Sequence, residues 1–525
     1  MKKYLNIFDF SQKVNYKTEI LSGITVALAL VPEAIAFALI PGFSPLTGLY
    51  AAFILALITA IFGGRPGMIS GATGAVAVIF IGLILELKNS FPEITPETIL
   101  HYVFATVIIA GVLQIVAGLL KLGKFIRLVP HPVMFGFVNG LAIIIFMAQF
   151  PNFYEKGTTE LLAGISFWSM LGLTLLTMLI IWGLPKLTKA VPSSLVAIIV
   201  VSGIVIGFGI DTLTVADTMK AGETIKGGFP PLSIPNIPLT METIKIIFPY
   251  AAIVAGVGLI ESLLTLNIID EITETRGSGN KECIAQGTAN ILSGFLSGMG
   301  GCAMIGQSLI NTSAGARARL SGITAAVMLL VFIMFGSSLI EQLPMAALVG
   351  LMFMVAIGTF EWASFKTFRK MPTSDVVVMV LVTLITAITH NLATAVLFGV
   401  IISALAYSWE NAKRIRARKF VDADGVKHYE IYGPLFFGST TAFSEKFDVQ
   451  NDPVEIIIDF KESRVADMSA IEALNKITER YQKVGKKVHL KHLSSDCRKL
   501  LHNAGEIIDI NVLEDPTYKV VVDKL

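Results

Sequence analysis

Two glutamates, Glu33 and Glu261, stand in apolar stretches of this 525-residue chain, and each precedes a glycine-rich break by a similar interval. Glu33 lies 38 residues before Gly71 in the run Ile69-Ser70-Gly71-Ala72-Thr73-Gly74. Glu261 lies 40 residues before Gly301 in Gly298-Met299-Gly300-Gly301-Cys302-Ala303. An acid in apolar sequence is a functional candidate, because its charge must be neutralised by a proton or a cation. Thr265 follows Glu261 by one helical turn and shares its face. A carboxylate and a hydroxyl at that spacing, beside unwound carbonyls, suit a small hard cation such as Na+; a proton suits the carboxylate equally. The other reading of Glu261 is a solvated residue near the end of its helix.

The breaks themselves suit an anion. Each opens a short apolar segment, Ala75 to Leu85 and Met304 to Ile310, too short to cross a bilayer core that takes about 20 helical residues. A helix N-terminus carries unpaired N–H groups and about half a positive charge. Two such termini near the midplane would direct backbone donors at one anion, from Thr73 and Gly74 in one half and from Ala303, Met304, Ile305 and Gly306 in the other. The plainer alternative is that the glycines only let helices pack closely.

These segments require a membrane scaffold. The chain is 54% hydrophobic and 15% charged, against about 25% charged in soluble domains. Its mean hydropathy is +0.71. Cys283, Cys302 and Cys497 are too scattered for a zinc site or disulfide framework. No phosphate loop, metal cluster or nucleophile–base pair marks an enzyme, and nothing points to nucleic acid. No cofactor is implied beyond a coupling ion, Na+ or H+.

Apolar runs predict fourteen segments, at 20–40, 46–63, 72–87, 99–120, 132–150, 165–185, 193–210, 243–267, 282–299, 302–315, 320–340, 345–363, 374–389 and 392–410. With residues 1–19 as a cytoplasmic tail, every even-numbered segment is followed by basic residues: Arg65, then Lys121, Lys124 and Arg127, then Lys186 and Lys189, then Arg276 and Lys281, then Arg317 and Arg319, then Lys366, Arg369 and Lys370, and last Lys413 to Lys419. The outer loops hold Lys88, Lys156, Lys220 and Lys226. Both termini are therefore expected in the cytoplasm, with the chain a multi-pass protein of the cell's inner (plasma) membrane in contact with lipid. Pro230, Pro231, Pro235 and Pro238 exclude a helix between the halves. Seven segments per half, about 20–210 and 243–412, is an odd number, so the halves run in opposite orientation as an inverted repeat.

Past a basic linker at 413–426, residues 427–525 change character. Strand candidates at Lys427–Phe437, Val454–Phe460 and Lys487–Leu490 alternate with helical stretches at Ser469–Val484 and Ser494–Asn503, which predicts a small α/β domain.

Val31-Pro32-Glu33-Ala34-Ile35-Ala36-Phe37-Ala38 resembles the first-helix motif of the SulP/SLC26 anion transporters. So do Phe62-Gly63-Gly64 through Gly74, and Asn311 to Gly322 resembles the stretch after the family's tenth segment. Ile457-Ile458-Asp459-Phe460 and Asp467-Met468-Ser469-Ala470 resemble a STAS domain. The resemblance implies a fourteen-segment fold with core and gate domains, a homodimer and a cytoplasmic STAS domain open to a protein partner. It places the anion among Glu33, Phe37, Thr73, Ile305, Gly306 and Gln307. Ser469 matches a serine that is phosphorylated in some free-standing STAS proteins; a helix-capping role is the alternative.

Many relatives have glutamine at the position of Glu33, and many animal relatives a basic residue at that of Gln307. A negative first-helix residue without a fixed cation repels an anion unless it is protonated or a cation binds nearby. The expected activity is therefore secondary active symport of sulfate, bicarbonate or a dicarboxylate with Na+ or H+. The alternatives are an exchanger or channel on the same scaffold, and a membrane-anchored regulator working through its STAS domain.

Overall fold

The computed structural model describes residues 15–493 apart from 124–129, 156–159, 163, 189–191, 219–226, 239, 368–369 and 390–391. The first fourteen residues of the expected tail, the helix expected at Ser494–Asn503, and Lys124, Arg127, Lys156, Lys189, Lys220, Lys226 and Arg369 lie outside them.

The expected segments all appear as helices. They are α1 (Tyr16–Leu39), α2 (Pro45–Phe62), α3 (Gly74–Ser90), α4 (Pro96–Leu119), α5 (His131–Met147), α6 (Gly164–Leu187), α7 (Ser193–Phe208), α8 (Met241–Thr273), α9 (Gly279–Phe295), α10 (Ile305–Ser313) and α11 (Leu320–Phe335). One-turn helices α12 (Ser337–Glu341) and α14 (Ala363–Thr367) flank α13 (Met345–Thr359), and α15 (Thr373–Thr389) and α16 (Leu392–Ala412) follow. Two lengths differ from expectation. Helix α3 has 17 residues and runs past Leu85, while α8 has 33 residues, about 50 Å, and outruns a bilayer core of about 30 Å. Local chemistry sets the starts: Asn15, Thr95 and Thr240 each accept a hydrogen bond from the N–H three residues on.

The helix contacts come in exchanged pairs. Helix α4 packs on α9 as α11 packs on α2; α1 packs on α11 as α8 does on α4; α1 meets α10 as α8 meets α3; α5 meets α15 as α13 meets α6. This is the signature of a repeat relating α1–α6 to α8–α15. Helices α1–α4 and α8–α11 form one bundle, and α5–α7 with α13 and α15 a second, joined by contacts of α1 with α7 and α13 and of α3 with α5. Close approach inside the first bundle uses small residues: a Cβ on Gly111 would lie 2.5 Å from the Gly287 carbonyl oxygen, and one on Gly287 equally close to that of Gly111. All four tryptophans are exposed, Trp168 and Trp182 on α6 about 21 Å apart along its axis.

The two breaks meet. Strand β1 (Ser70–Gly71) pairs antiparallel with β2 (Cys302–Ala303), with Ser70 opposite Ala303 and Gly71 opposite Cys302. This sheet is fully buried. A Cβ on Gly301 would sit 2.0 Å from the Gly71 carbonyl oxygen, so only glycine allows the approach, and Gly300 has φ +72°, a value glycine adopts freely.

The C-terminal domain is a separate compact unit. Its sheet has the order β3 (Arg416–Val421), β4 (Lys427–Leu435), β5 (Glu455–Val465), β6 (Lys487–Lys491); β3 and β4 are antiparallel, and the other pairs are parallel. Helix α18 (Met468–Lys483) buries Ile471, Leu474, Ile477 and Tyr481, one face at helical spacing. The one-turn α17 (Thr440–Ser444) precedes it. Asp452 accepts hydrogen bonds from the Tyr429 and Tyr481 hydroxyls, each 2.5 Å. Burial, with Asp452 beside it, pushes the Tyr429 phenol up to about 12, so it stays a donor.

The stretch 413–426, expected as a linker, instead contains the edge strand β3, and Ile415 is part of the core. Its charged residues are where edge strands carry them to discourage further pairing. A soluble fragment 413–525 is therefore expected to melt higher than 427–525, which loses the β3 ladder and the burial of Ile415, the latter alone worth about 1.5–3 kcal/mol. Equal melting temperatures by circular dichroism would return the strand to linker status.

Candidate anion-binding site

The sheet of paired breaks positions both half-helices. Helix α3 leaves the end of β1 and α10 the end of β2, so both start from opposite ends of a two-residue sheet about 7 Å long. Thr73 is the N-cap of α3 in extended conformation and makes no capping hydrogen bond; Met304 is the N-cap of α10. The helical ladders open with Ala77 N–H to the Thr73 carbonyl and Ser308 N–H to the Met304 carbonyl, each 3.0 Å. The N–H groups of Gly74, Ala75 and Val76, and of Ile305, Gly306 and Gln307, therefore have no acceptor within their helices.

Two expected donors are already used. Ala303 N–H donates to Ser262 Oγ at 3.1 Å, and Met304 N–H donates to the Ile69 carbonyl at 2.9 Å. Alternation along an antiparallel pair explains both: Met304 faces β1, while the Ala303 N–H points the other way, towards α8. The N–H groups of the second half left without an acceptor in their helix thus begin at Ile305.

The two glutamates reach into these breaks from different helices. Glu33, on α1 directly after Pro32, accepts a hydrogen bond from Gln307 Nε2 on α10. Phe37, one turn on, is buried against Gly74, where an added Cβ would lie 2.9 Å from its ring. On α8, Glu261 Oε2 accepts from Cys302 Sγ at 2.9 Å, and that sulfur lies 3.3 Å from Thr73 Oγ1. Glu261 is thus tied to the breaks and is not a solvated end residue. Neither acid forms an ion pair among the described residues. Thr265 is buried, but its hydroxyl donates to the Glu261 main-chain carbonyl at 2.8 Å, so only its lone pairs face other partners. Gly306 is exposed, and a Cβ there would meet nothing within 4 Å.

A shell of buried polar groups holds the breaks in place. Asn290 Nδ2 donates to the Gly301 carbonyl and its Oδ1 accepts from Gly301 N–H, at 3.1 and 3.0 Å, while Nδ2 also reaches Gln114 Oε1. Gln286 Nε2 donates to Ser70 Oγ at 2.6 Å and to Glu282 Oε1 at 2.9 Å. Ser308 Oγ accepts from Ile69 N–H. Gln114 and Asn290 thus link α4, α8 and α9, while Gln286 ties α9 to β1. Sequence reasoning missed Ser262, Glu282 and the position of Cys302, although Cys302 lies inside a break already singled out. Ser469 is exposed as the second residue of α18, and the cap is Asp467, whose Oδ1 accepts from Ala470 N–H.

A cavity of about 1030 Å³ leads to this region, between the start of α5 and the last three turns of α8, reaching Ile305. Arg65, paired with Asp270 at 3.3 Å, stands at the same end. At the opposite end of α5, Phe146, Phe150 and Phe153 pack on Phe353 of α13 with ring centroids 4.7, 6.0 and 6.5 Å away. There only a 30 Å³ void separates α1, α5 and α13.

Residues 16–383 match the sulfate permease family and residues 418–521 the STAS domain. YbaR of Bacillus subtilis (strain 168), named for sulfate transport, is 42% identical over 93% of this chain and 96% of its own length. The bicarbonate transporter BicA of Picosynechococcus is 30% identical over 93% of this chain and 90% of its own. The solved transmembrane domain of a cyanobacterial BicA superposes with a TM-score of 0.63 at 28% identity, covering 75% of this chain and 98% of that one. Murine Slc26a9, an anion transporter solved in its inward-facing state, shares the fold at a TM-score of 0.80 and 18% identity, over 96% of this chain and 90% of that one. The relatives are transporters and not enzymes. With paired half-helix N-termini in a multi-pass helical membrane domain and an α/β domain after it in sequence, this chain belongs to the sulfate permease (SulP/SLC26) family of anion transporters.

Proposed function

We propose that the chain is a secondary active transporter that carries a small oxyanion together with Na+ or H+ by alternating access. One observation carries this reading: each half contributes an acid without a cationic partner among the described residues, Glu261 hydrogen-bonded to Cys302 in the second break and Glu33 to Gln307 in the first turn of α10. An ionised carboxylate beside the half-helix N-termini competes with an anion for their field. A proton or Na+ on the acid removes that competition, so cation and anion are favoured together. The relatives' names put sulfate and bicarbonate first as substrates, with a dicarboxylate as the other candidate.

The cavity end carries Arg65, Arg276, Lys281 and the other basic loop residues, which supports a cytoplasmic placement of that end and of both termini. In that orientation the protein is open inward and closed outward by the phenylalanine cluster. The reading includes a homodimer in the plasma membrane.

Three outcomes follow. In proteoliposomes, Glu261→Gln is expected to abolish anion accumulation driven by a Na+ or pH gradient while leaving anion exchange; an unchanged gradient dependence removes Glu261 from coupling. Wild-type anion affinity should rise on acidification or on adding Na+, and Glu33→Gln should lose part of that response; an affinity flat in both titrations counts against a coupling role for Glu33. Gly306→Val adds volume where no protein atom stands, so the variant should keep its thermal stability yet weaken anion binding at least about tenfold, roughly 1.4 kcal/mol. Gly74→Val is a poorer probe because its side chain meets Phe37 and Ile145. Normal binding by a stable Gly306→Val protein would move the anion away from α10.

A further inference from the structure

We propose that Cys302 is a positioning residue that transmits the state of Glu261 to Thr73 by reversing the direction of a three-member hydrogen-bond chain. The proposal rests on the coupling role of Glu261 given above and adds the link to the anion.

The chain runs Glu261–Cys302–Thr73 and joins three elements: α8, β2 and the N-cap of α3. Cys302 is fully buried and Thr73 nearly so. Each hydroxyl or thiol has one proton. With Glu261 ionised, the thiol proton goes to Oε2 at 2.9 Å. The 3.3 Å contact with Thr73 must then be O–H to sulfur, which turns the threonine proton away from the half-helix N-terminus. When Glu261 is neutral or its Oε2 holds a cation, the thiol proton is released. It can then be donated to Thr73 Oγ1, and the threonine proton becomes available to an anion oxygen. Apart from the proton or cation that Glu261 takes up, only hydrogen bonds change, and Cys302 and Thr73 each keep one proton. The half-helix N–H groups attract the anion in both states; the threonine donor is present in one.

Cysteine suits the middle position because the sulfur is large and polarisable and the thiol is a weak donor, so neither direction is strongly locked. Serine would keep the single proton and both directions. Alanine would cut the chain without adding volume.

The test is a set of double-mutant cycles on the full-length protein in nanodiscs, read as the dissociation constant for sulfate or bicarbonate, whichever wild type binds more tightly. Glu261→Gln stands for the neutral acid. Its effect on anion affinity is expected to differ by at least about threefold between the wild-type and Cys302→Ala backgrounds, within the range seen for residues in one hydrogen-bond network. Cys302→Ser should restore the wild-type response. A purely structural role for Cys302 would shift the affinity of both backgrounds equally and leave the cycle additive. Additive effects, or a loss of coupling in Cys302→Ser equal to that in Cys302→Ala, overturn the proposal. Should Cys302→Ala fail to fold, the cycle of Glu261→Gln with Thr73→Val decides, since the chain requires the same non-additivity from its far end. The proteoliposome assay separates the two ideas: gradient-driven accumulation that survives Glu261→Gln removes the coupling reading, whereas its loss together with an additive cycle removes the relay alone.

Discussion

The pairing of residues 69–71 with 302–304 is the contact on which the membrane domain depends. Backbone N–H and C=O groups cannot be left unpaired in the apolar interior of a bilayer, and both breaks unwind there. Two antiparallel strands, each two residues long, supply part of the missing partners to each other. The rest come from side chains: Asn290 on both backbone groups of Gly301, Ser262 on Ala303 N–H, Ser308 on Ile69 N–H. Once this demand is met, the first N–H groups of α3 and α10 remain over, and they have no acceptor within their helices. The proposed anion site is thus what is left when everything else in the breaks has been satisfied.

The division into two bundles gives that site two environments. The bundle of α1–α4 and α8–α11 holds the breaks, their polar shell and both acids. The bundle of α5–α7, α13 and α15 supplies α5, whose start lines the open cavity and whose end closes the phenylalanine cluster. Helices α1 and α3 make the contacts that join the two bundles. This division of labour fits the fold shared with Slc26a9 and the transmembrane domain of BicA.

Much of this was legible in the sequence, for physical reasons that also explain the misses. Hydropathy and the alternation of basic loops located every membrane helix because the bilayer imposes length and polarity on each one independently. The glycine breaks and the acids stood out against apolar neighbours. The sheet between the breaks did not, because its register joins residues more than 230 positions apart and leaves no local period. For the same reason Ala303 and Met304 looked like free donors. Thr265 stood out by helical spacing; its hydroxyl bonds back to the carbonyl four residues earlier, as a threonine inside a helix readily does, and keeps its lone pairs for other partners. Strand β3 was hidden by its arginines and lysines, which read as a linker although Ile415 and Ala417 beside them pack into the core.

Two buried polar side chains of the first helix are bound to late sequence. Buried Ser22 donates to Asn311 Oδ1 at 2.6 Å, and buried Glu19 accepts from the N–H groups of Arg317, Ala318 and Ser321 at the start of α11. These partners are about 300 residues downstream. At about 5–20 residues per second, a ribosome takes roughly 15–60 s to reach them after completing α1. For that interval α1 holds a carboxylate and a hydroxyl whose native partners do not yet exist. The assembly of the first bundle is therefore timed by translation of the second half, and the inverted repeat is a postponed reaction within one chain as much as it is a symmetry.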